Sequence, residues 1–309
     1  MCIIKVLNYI RDLIISSKHN KEDMANRNII DAIIEIVKSP QHQLKQYSIS
    51  LNRANDMGTA LEDYCKDIFA GTVGEADKTI RIKKLNDAFS YLGNNSNPPD
   101  IILKEGDAIE VKKIISPNAS LALNSSYPKC KLYSDSTLIT TECKNCDGGK
   151  WTEKDMLYII GVVNNNNLKS MAMVYGDDYC DSKDVYEKIR KAVKDGILNI
   201  PDVDFSETNE LGRVNKVDHL GITNMRIRGM WHIDNPFKVF DYIYKRNSSH
   251  SFDLMVIINQ NKVNKLSNFK VLQEIEKTNS NLKILEKQIQ DPRNPANLKD
   301  VKLITFFVK

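Results

Sequence analysis

The chain has 309 residues, 41% hydrophobic and 27% charged, with 44 lysines and arginines against 40 acids and a net charge of +4. That length and balance fit a globular protein with its own core and exclude wholesale disorder or a disulfide-stapled miniprotein. No run reaches the ~20 apolar residues of a membrane helix. Lys5, Arg11 and Asp12 interrupt the first apolar stretch, so it does not read as a signal peptide, and the six scattered cysteines read as reduced thiols in a cytoplasmic protein.

Residues 1–23 read as an amphipathic extension of unassigned role, and residues 24–309 as a single domain. Asn28 is placed to cap a helix whose Ile29, Ile30, Ile33, Ile34 and Val37 recur at helical spacing and which Pro40 stops. A second helix is predicted from Ala54 to Phe69, with Leu61, Tyr64, Cys65, Ile68 and Phe69 inward. The turn-rich stretch Gly93 to Pro99 is expected to be neither helix nor central strand. Two short apolar runs follow, Asp100–Leu103 and Ala108–Ile115, joined by Lys104-Glu105-Gly106-Asp107 as a hairpin loop. A second strand pair is expected at Leu157–Val163 and Met171–Tyr175, then a helix from Ser182 to about Val193. Further strands are expected at Met225–Trp231, Phe252–Ile258 and Val301–Val308, with a long polar helix from Val271 to Ile289 before the last. The fold class is therefore α/β, a mixed central sheet flanked by helices.

The chemistry concentrates in Pro99-Asp100, nine intervening residues, then Glu110-Val111-Lys112. Side chains alternate along a strand, so Ile109 and Val111 enter the core while Glu110 and Lys112 project together from the opposite face. The hairpin folds Asp100 back beside them. Two close carboxylates repel unless a cation lies between them, and oxygen ligands with open positions suit Mg²⁺ and a substrate phosphate. The neighbouring ammonium suits holding a water and offsetting charge on phosphorus. Its proximity to acids argues against Lys112 as the proton acceptor.

These three residues match the signature of the PD-(D/E)XK nuclease superfamily. Longer strings, FSYLGNNSNPPD (Phe89 to Asp100), GDAIEVKKI (Gly106 to Ile114), LALNSSYPKCKL (Leu121 to Leu132), ELGRVNKVDHLGIT (Glu210 to Thr223) and RGMW (Arg228 to Trp231), resemble the NgoPII-type type II restriction endonucleases from about Asn28 through Tyr244. The resemblance implies a restriction-endonuclease-like core and Mg²⁺-dependent cleavage of double-stranded DNA at a short palindrome, GGCC. It implies 5′-phosphate and 3′-hydroxyl ends, and a homodimer as the form that cuts a palindrome. A cognate methyltransferase would share the DNA site without needing to touch this chain. By the same resemblance Glu62, on the helix upstream, joins Asp100 and Glu110 as a candidate metal ligand, against the plainer reading of a solvated position beside Asp63. The three-residue signature alone also fits a structure-selective repair nuclease or a DNA-binding protein without turnover.

Guanines in the major groove are best read by arginine or lysine. Arg213 and Lys216, then Arg226 and Arg228, are the candidates, the latter two on one face of a strand about 6.7 Å apart. Asn94, Asn95 and Asn97 form a polar loop leading to the metal site, able to contact DNA or simply to make the turn. Lys113 points away from Glu110 and suits a phosphate or water. Cys143 and Cys146 have the spacing of half a zinc site. Only Cys130 is a nearby thiol and no histidine lies between Ser116 and Leu211, so free thiols are the expected reading.

Overall fold

The computed structural model describes residues 26–40, 43–44, 53–94, 97–201, 204–206, 208 and 211–309. The expected extension at 1–23 and the candidate Asn95 lie outside these residues.

Asn28 starts the first helix as a reciprocal cap. Its side chain accepts the Ile30 N–H at 2.9 Å and its own N–H donates to Asp31 at 2.9 Å. In chain order follow α1 (Ile29–Lys38), α2 (Arg53–Ala70), α3 (Lys78–Ala88), β1 (Phe89–Asn94), β2 (Asn97–Leu103) and β3 (Ala108–Ile114). Then come β4 (Leu121–Ala122), β5 (Lys131–Tyr133), α4 (Thr141–Asn145), β6 (Glu153–Asn164), β7 (Asn167–Tyr175) and α5 (Lys183–Leu198). The rest is β8 (Asp204–Ser206), β9 (Gly212–Asn215), β10 (Met225–Ile227), β11 (His232–Ile233), α6 (Pro236–Val239) and β12 (Phe252–Asn259). It closes with α7 (Gln260–Val263), α8 (Phe269–Thr278), β13 (Leu282–Asp291) and β14 (Asn294–Val308).

The main sheet runs β1-β2-β3-β6-β7-β12-β14-β13, with β5 also paired to β6. The β3–β6 and β7–β12 pairs are parallel and the others antiparallel, so the sheet is mixed. Residues from α1, α2 and α8 cover one face, where Leu61, Tyr64 and Phe69 meet Ile109, Val111, Leu157 and Val256. The other face holds Ala108, Ile114, Tyr158, Ile160 and Ile257, covered by Leu123, by Leu132 of β5, and by Phe237 and Phe240 in and after α6. Strand β12 is buried on both faces, which is why it reads as an apolar run from Leu254 to Ile258. Two small sheets, β10-β9-β8 and β11-β4, stand off the main one. Among the described residues no helix is long and apolar enough to cross a membrane.

The structure corrects three expectations. The Gly93–Pro99 stretch is mostly strand: β1 continues to Asn94 and β2 begins at Asn97. Prolines 98 and 99 are tolerated because β2 pairs with β3 only at Ile101 and Ile102, so their missing N–H groups interrupt no bond on that side. Gly93 permits the close pass, since a Cβ there would lie 2.4 Å from the Pro99 carbonyl oxygen. The helix expected over Val271–Ile289 ends at Thr278, and β13 follows at the sheet edge. Only Leu282 and Ile289 of β13 are buried, so its exposed charged residues never show the alternation of a half-buried strand. The strand expected over Met225–Trp231 stops at Ile227; Trp231 instead exchanges backbone bonds with Leu123 and Asn124, and β11 pairs with β4.

Helix α2 sits close over the sheet because Gly161 on β6 leaves room for Leu61; a Cβ at Gly161 would lie 2.6 Å from a Leu61 methyl. Leu61→Ala is expected to lower unfolding free energy by about 2–5 kcal/mol. Gly161→Ala should be destabilising alone and clearly less so in the Leu61→Ala background. Urea unfolding of the two single variants and the double variant measures that non-additivity.

Candidate active site

Strands β2 and β3 deliver the three signature residues to one place. Their backbone pairing ends at Ile101 opposite Ile109. The next N–H on that edge of β3, from Val111, is taken by the side chain of Asp100, whose Oδ2 accepts it at 2.7 Å. The carboxylate thus replaces a strand carbonyl. Along β3, Ile109 and Val111 are buried against α2 while Glu110 and Lys112 are only half-buried, the alternation the sequence predicts.

Lys112 Nζ donates to Glu110 Oε1 at 2.5 Å and lies 4.0 Å from Asp100 Oδ2. The side chains of Asp100, Glu110 and Lys112 retain only 14%, 12% and 24% exposure. Burial, then the neighbouring Glu110, pushes Asp100 up to about 8 despite Lys112 and the Val111 N–H. Burial alone would discharge Lys112, but Glu110 and Asp100 outweigh it and hold its pKa above the ordinary lysine value. Lys112 is therefore a fixed positive charge. Glu110 Oε2 is buried and has no hydrogen-bond partner. An unpartnered carboxylate oxygen beside a carboxyl that resists ionisation fits a divalent cation, which would satisfy the one and ionise the other.

Glu62 lies half-buried on α2, close enough that Lys112 and Glu110 both act on it. Its carboxyl is raised by burial, with Lys66 and Lys112 opposing. Among the described residues no three Asp, Glu, His or Cys side chains converge as a ready-made ligand set. Two carboxylates with water and phosphate making up the remainder is a normal Mg²⁺ arrangement.

The DNA-reading candidates separate. Arg213 on β9 and Arg226 on β10 are exposed register partners. Arg228 lies beyond β10, so it does not share a strand face with Arg226 as expected. Lys216 is exposed and follows β9. Asn97 donates its side-chain amide to the Leu138 carbonyl at 3.4 Å, a contact that anchors the start of β2. Asn94 ends β1. Lys113 is half-buried on the Val111 side of β3, away from Glu110. Cys143 and Cys146 are buried free thiols, Cys143 pushed up to about 12 by burial and then by Cys146. Folding also brings Lys129, a buried charged group in a loop that no sequence spacing links to the signature, to the Glu110 face.

A mixed sheet with two acids and a lysine on adjoining strands is a restriction-endonuclease-like core. The model of the NgoPII restriction endonuclease family matches residues 27–290. The type II restriction enzyme NgoPII of Neisseria gonorrhoeae is 52% identical over 280 residues, which is 90% of this chain and 99% of that enzyme. No solved structure matches the chain. The chain belongs to the NgoPII restriction endonuclease family. The match extends past Tyr244, where the sequence resemblance thins, into β13.

The Asp100 shift carries a signed consequence. A carboxyl raised on folding contributes stability that is complete below its unfolded pKa of about 4 and is lost as pH rises through about 8. In EDTA, the thermal midpoint should fall from pH 6 to 9 more steeply for the native chain than for Asp100→Asn. Added Ca²⁺ should raise the midpoint more at pH 8.5 than at pH 6.5, and differential scanning fluorimetry reads both.

Proposed function

We propose that this chain is a Mg²⁺-dependent type II restriction endonuclease that cuts both strands of a GGCC palindrome, working as a cytoplasmic homodimer. The observation that supports it most directly is the buried Asp100–Glu110–Lys112 group, with its unpartnered Glu110 oxygen, in a chain of this family. Residues 24–309 would serve as one catalytic and DNA-binding domain. A homodimer suits a palindrome because two symmetry-related sites address the two strands. A cognate methyltransferase would protect the same DNA without binding this protein.

Asp100 and Glu110 would hold the cation, with Glu62 close enough to bias its field. Mg²⁺ supplies a Lewis acid for the phosphate oxygen and acidifies a water. Asp100 contributes an oxygen fixed in place by the Val111 N–H, and Glu110 contributes its free Oε2. Lys112 positions the attacking water and offsets negative charge on phosphorus; its raised pKa unsuits it to removing a proton. Arg213 and Arg226 are exposed register partners on neighbouring strands, so both side chains leave the same face of the small sheet. They would meet the duplex together with Arg228, Lys216, Lys113, Asn94, Asn95 and Asn97.

Digestion of a sequenced plasmid with the purified chain and Mg²⁺ should give discrete bands whose ends map within GGCC and carry 5′-phosphates. A smear, or cutting confined to junctions and damaged ends, refutes the restriction reading. Asp100→Asn and Lys112→Ala should each slow cutting by at least about 100-fold, on the order of 3 kcal/mol. Both should still bind the site in Ca²⁺. If the native chain binds duplex and never cuts it with Mg²⁺ or Mn²⁺, the catalytic assignment is wrong. Arg226→Ala should cost about 1–3 kcal/mol at one base position if it reads guanine. If it contacts phosphate, its loss should instead lower the salt slope of binding by about one. Gel-shift titrations at several salt concentrations separate the two.

A further inference from the structure

The segment Leu121–Leu132 carries one of the family-like strings and crosses the face of the sheet from which Glu110 and Lys112 project. Leu121, Leu123 and Leu132 are buried in the core on that side. Between them, Lys129 is only 7% exposed. Its backbone N–H donates to Tyr158 Oη at 2.7 Å, and Tyr158 on β6 is the register partner of Glu110 on β3. Partners on parallel neighbouring strands project from the same face about 4.8 Å apart. Lys129 therefore stands over the Glu110 face, with the Tyr158 ring as the spacer.

The Lys129 ammonium donates to Ser126 Oγ and to the Tyr127 carbonyl at 3.3 Å, and lies 5.4 Å from the Tyr127 ring centre. Among the described residues it makes no ion pair with a carboxylate. A buried ammonium lacking an acid partner is costly to keep. The same face holds Glu110 Oε2, buried and also unpartnered. Burial draws Lys129 down to about 8, while Glu110 raises it and Lys112 lowers it further, so both members of the site act on it.

We propose that Lys129 is a second ammonium of the active site, a positioning residue whose charge balances the negative charge gained by the scissile phosphate in the transition state. The inference rests on the metal-dependent cleavage proposed above. Two carboxylates, Lys112 and a divalent cation leave one net positive charge, which a phosphodiester monoanion neutralises. When hydroxide bonds to phosphorus, the phosphoryl group gains a second negative charge. The bond from phosphorus to the 3′ oxygen then breaks, and that oxygen departs with the electron pair and takes a proton from water. Lys129 supplies the positive charge matching that gain, from a position too buried for solvent to screen it.

Lys129→Met keeps the length and removes the charge, Lys129→Gln removes it with a polar group, and Lys129→Arg retains it. Calorimetric titration with Ca²⁺, without DNA, should show the Met and Gln variants binding the cation about 3- to 10-fold more tightly, because a like charge has gone. Their single-turnover cleavage in Mg²⁺ should fall about 10- to 100-fold while DNA affinity in Ca²⁺ changes less than about threefold. Lys129→Arg should keep native Ca²⁺ affinity and recover most of the rate. A merely structural role, in which the ammonium only staples Ser126 and Tyr127, predicts weaker Ca²⁺ binding and a lowered thermal midpoint in both uncharged variants. That result, or an unchanged cleavage rate, overturns the inference. In either case Asp100→Asn and Lys112→Ala still losing cleavage would leave the proposed function standing, whereas retained cleavage in Asp100→Asn would defeat that function first.

Discussion

The bond from the Val111 N–H to Asp100 couples the fold to the chemistry. It occurs where β2 stops pairing with β3 and a side-chain oxygen takes over from the backbone. The acid is thereby placed by the register of the sheet rather than by a mobile loop. Register is in turn set by which residues of β3 are apolar. A slip of one position would send Ile109 and Val111 to the opposite face and bury Glu110 and Lys112 against α2, so the hydrophobic pattern that closes the core also fixes the acids.

That placement is expensive in the chain alone. Asp100 is raised toward a neutral form by burial and by Glu110, and Glu110 keeps a buried oxygen with no partner. Lys112 relieves part of the repulsion but is shared between two acids. Such local conflict inside an otherwise consistent core is typical of sites whose complement arrives with a ligand. The surrounding structure absorbs the strain: β6 and β12 are apolar on both faces, and α1 and α2 cap the sheet beside the site with fully buried isoleucines, leucines and aromatics.

What the sequence made legible was local. The Asn28 cap, the β2–β3 hairpin and the alternation around Glu110 each depend on residues within a dozen positions, and each survives in the structure. Helix α3 was missed because Lys78–Ala88 is weakly amphipathic and buries only Ala88. Strand β13 was misread because an edge strand exposed on both faces shows no period-two burial. Pro98 and Pro99 hid the start of β2 because proline forbids only the bonds a strand needs, and here the β3 side needs none. Lys129 was invisible for a different reason. Its position depends on a register between β3 and β6, which are separated by the whole of residues 115–152, and no spacing rule reaches that far.

The same logic links the two ends of the molecule's charge pattern. At the hairpin, strand geometry holds Asp100 and Glu110 together with Lys112 shared between them, and a divalent cation would partner the free Glu110 oxygen and favour ionised Asp100. On the small sheet, Arg213 and Arg226 are held opposite one another by the β9–β10 register, both exposed. Ile109, Val111 and Val214 supply the burial on the opposite sides of these strands. Strand register thus fixes both sets of charges in a chain of the NgoPII restriction endonuclease family.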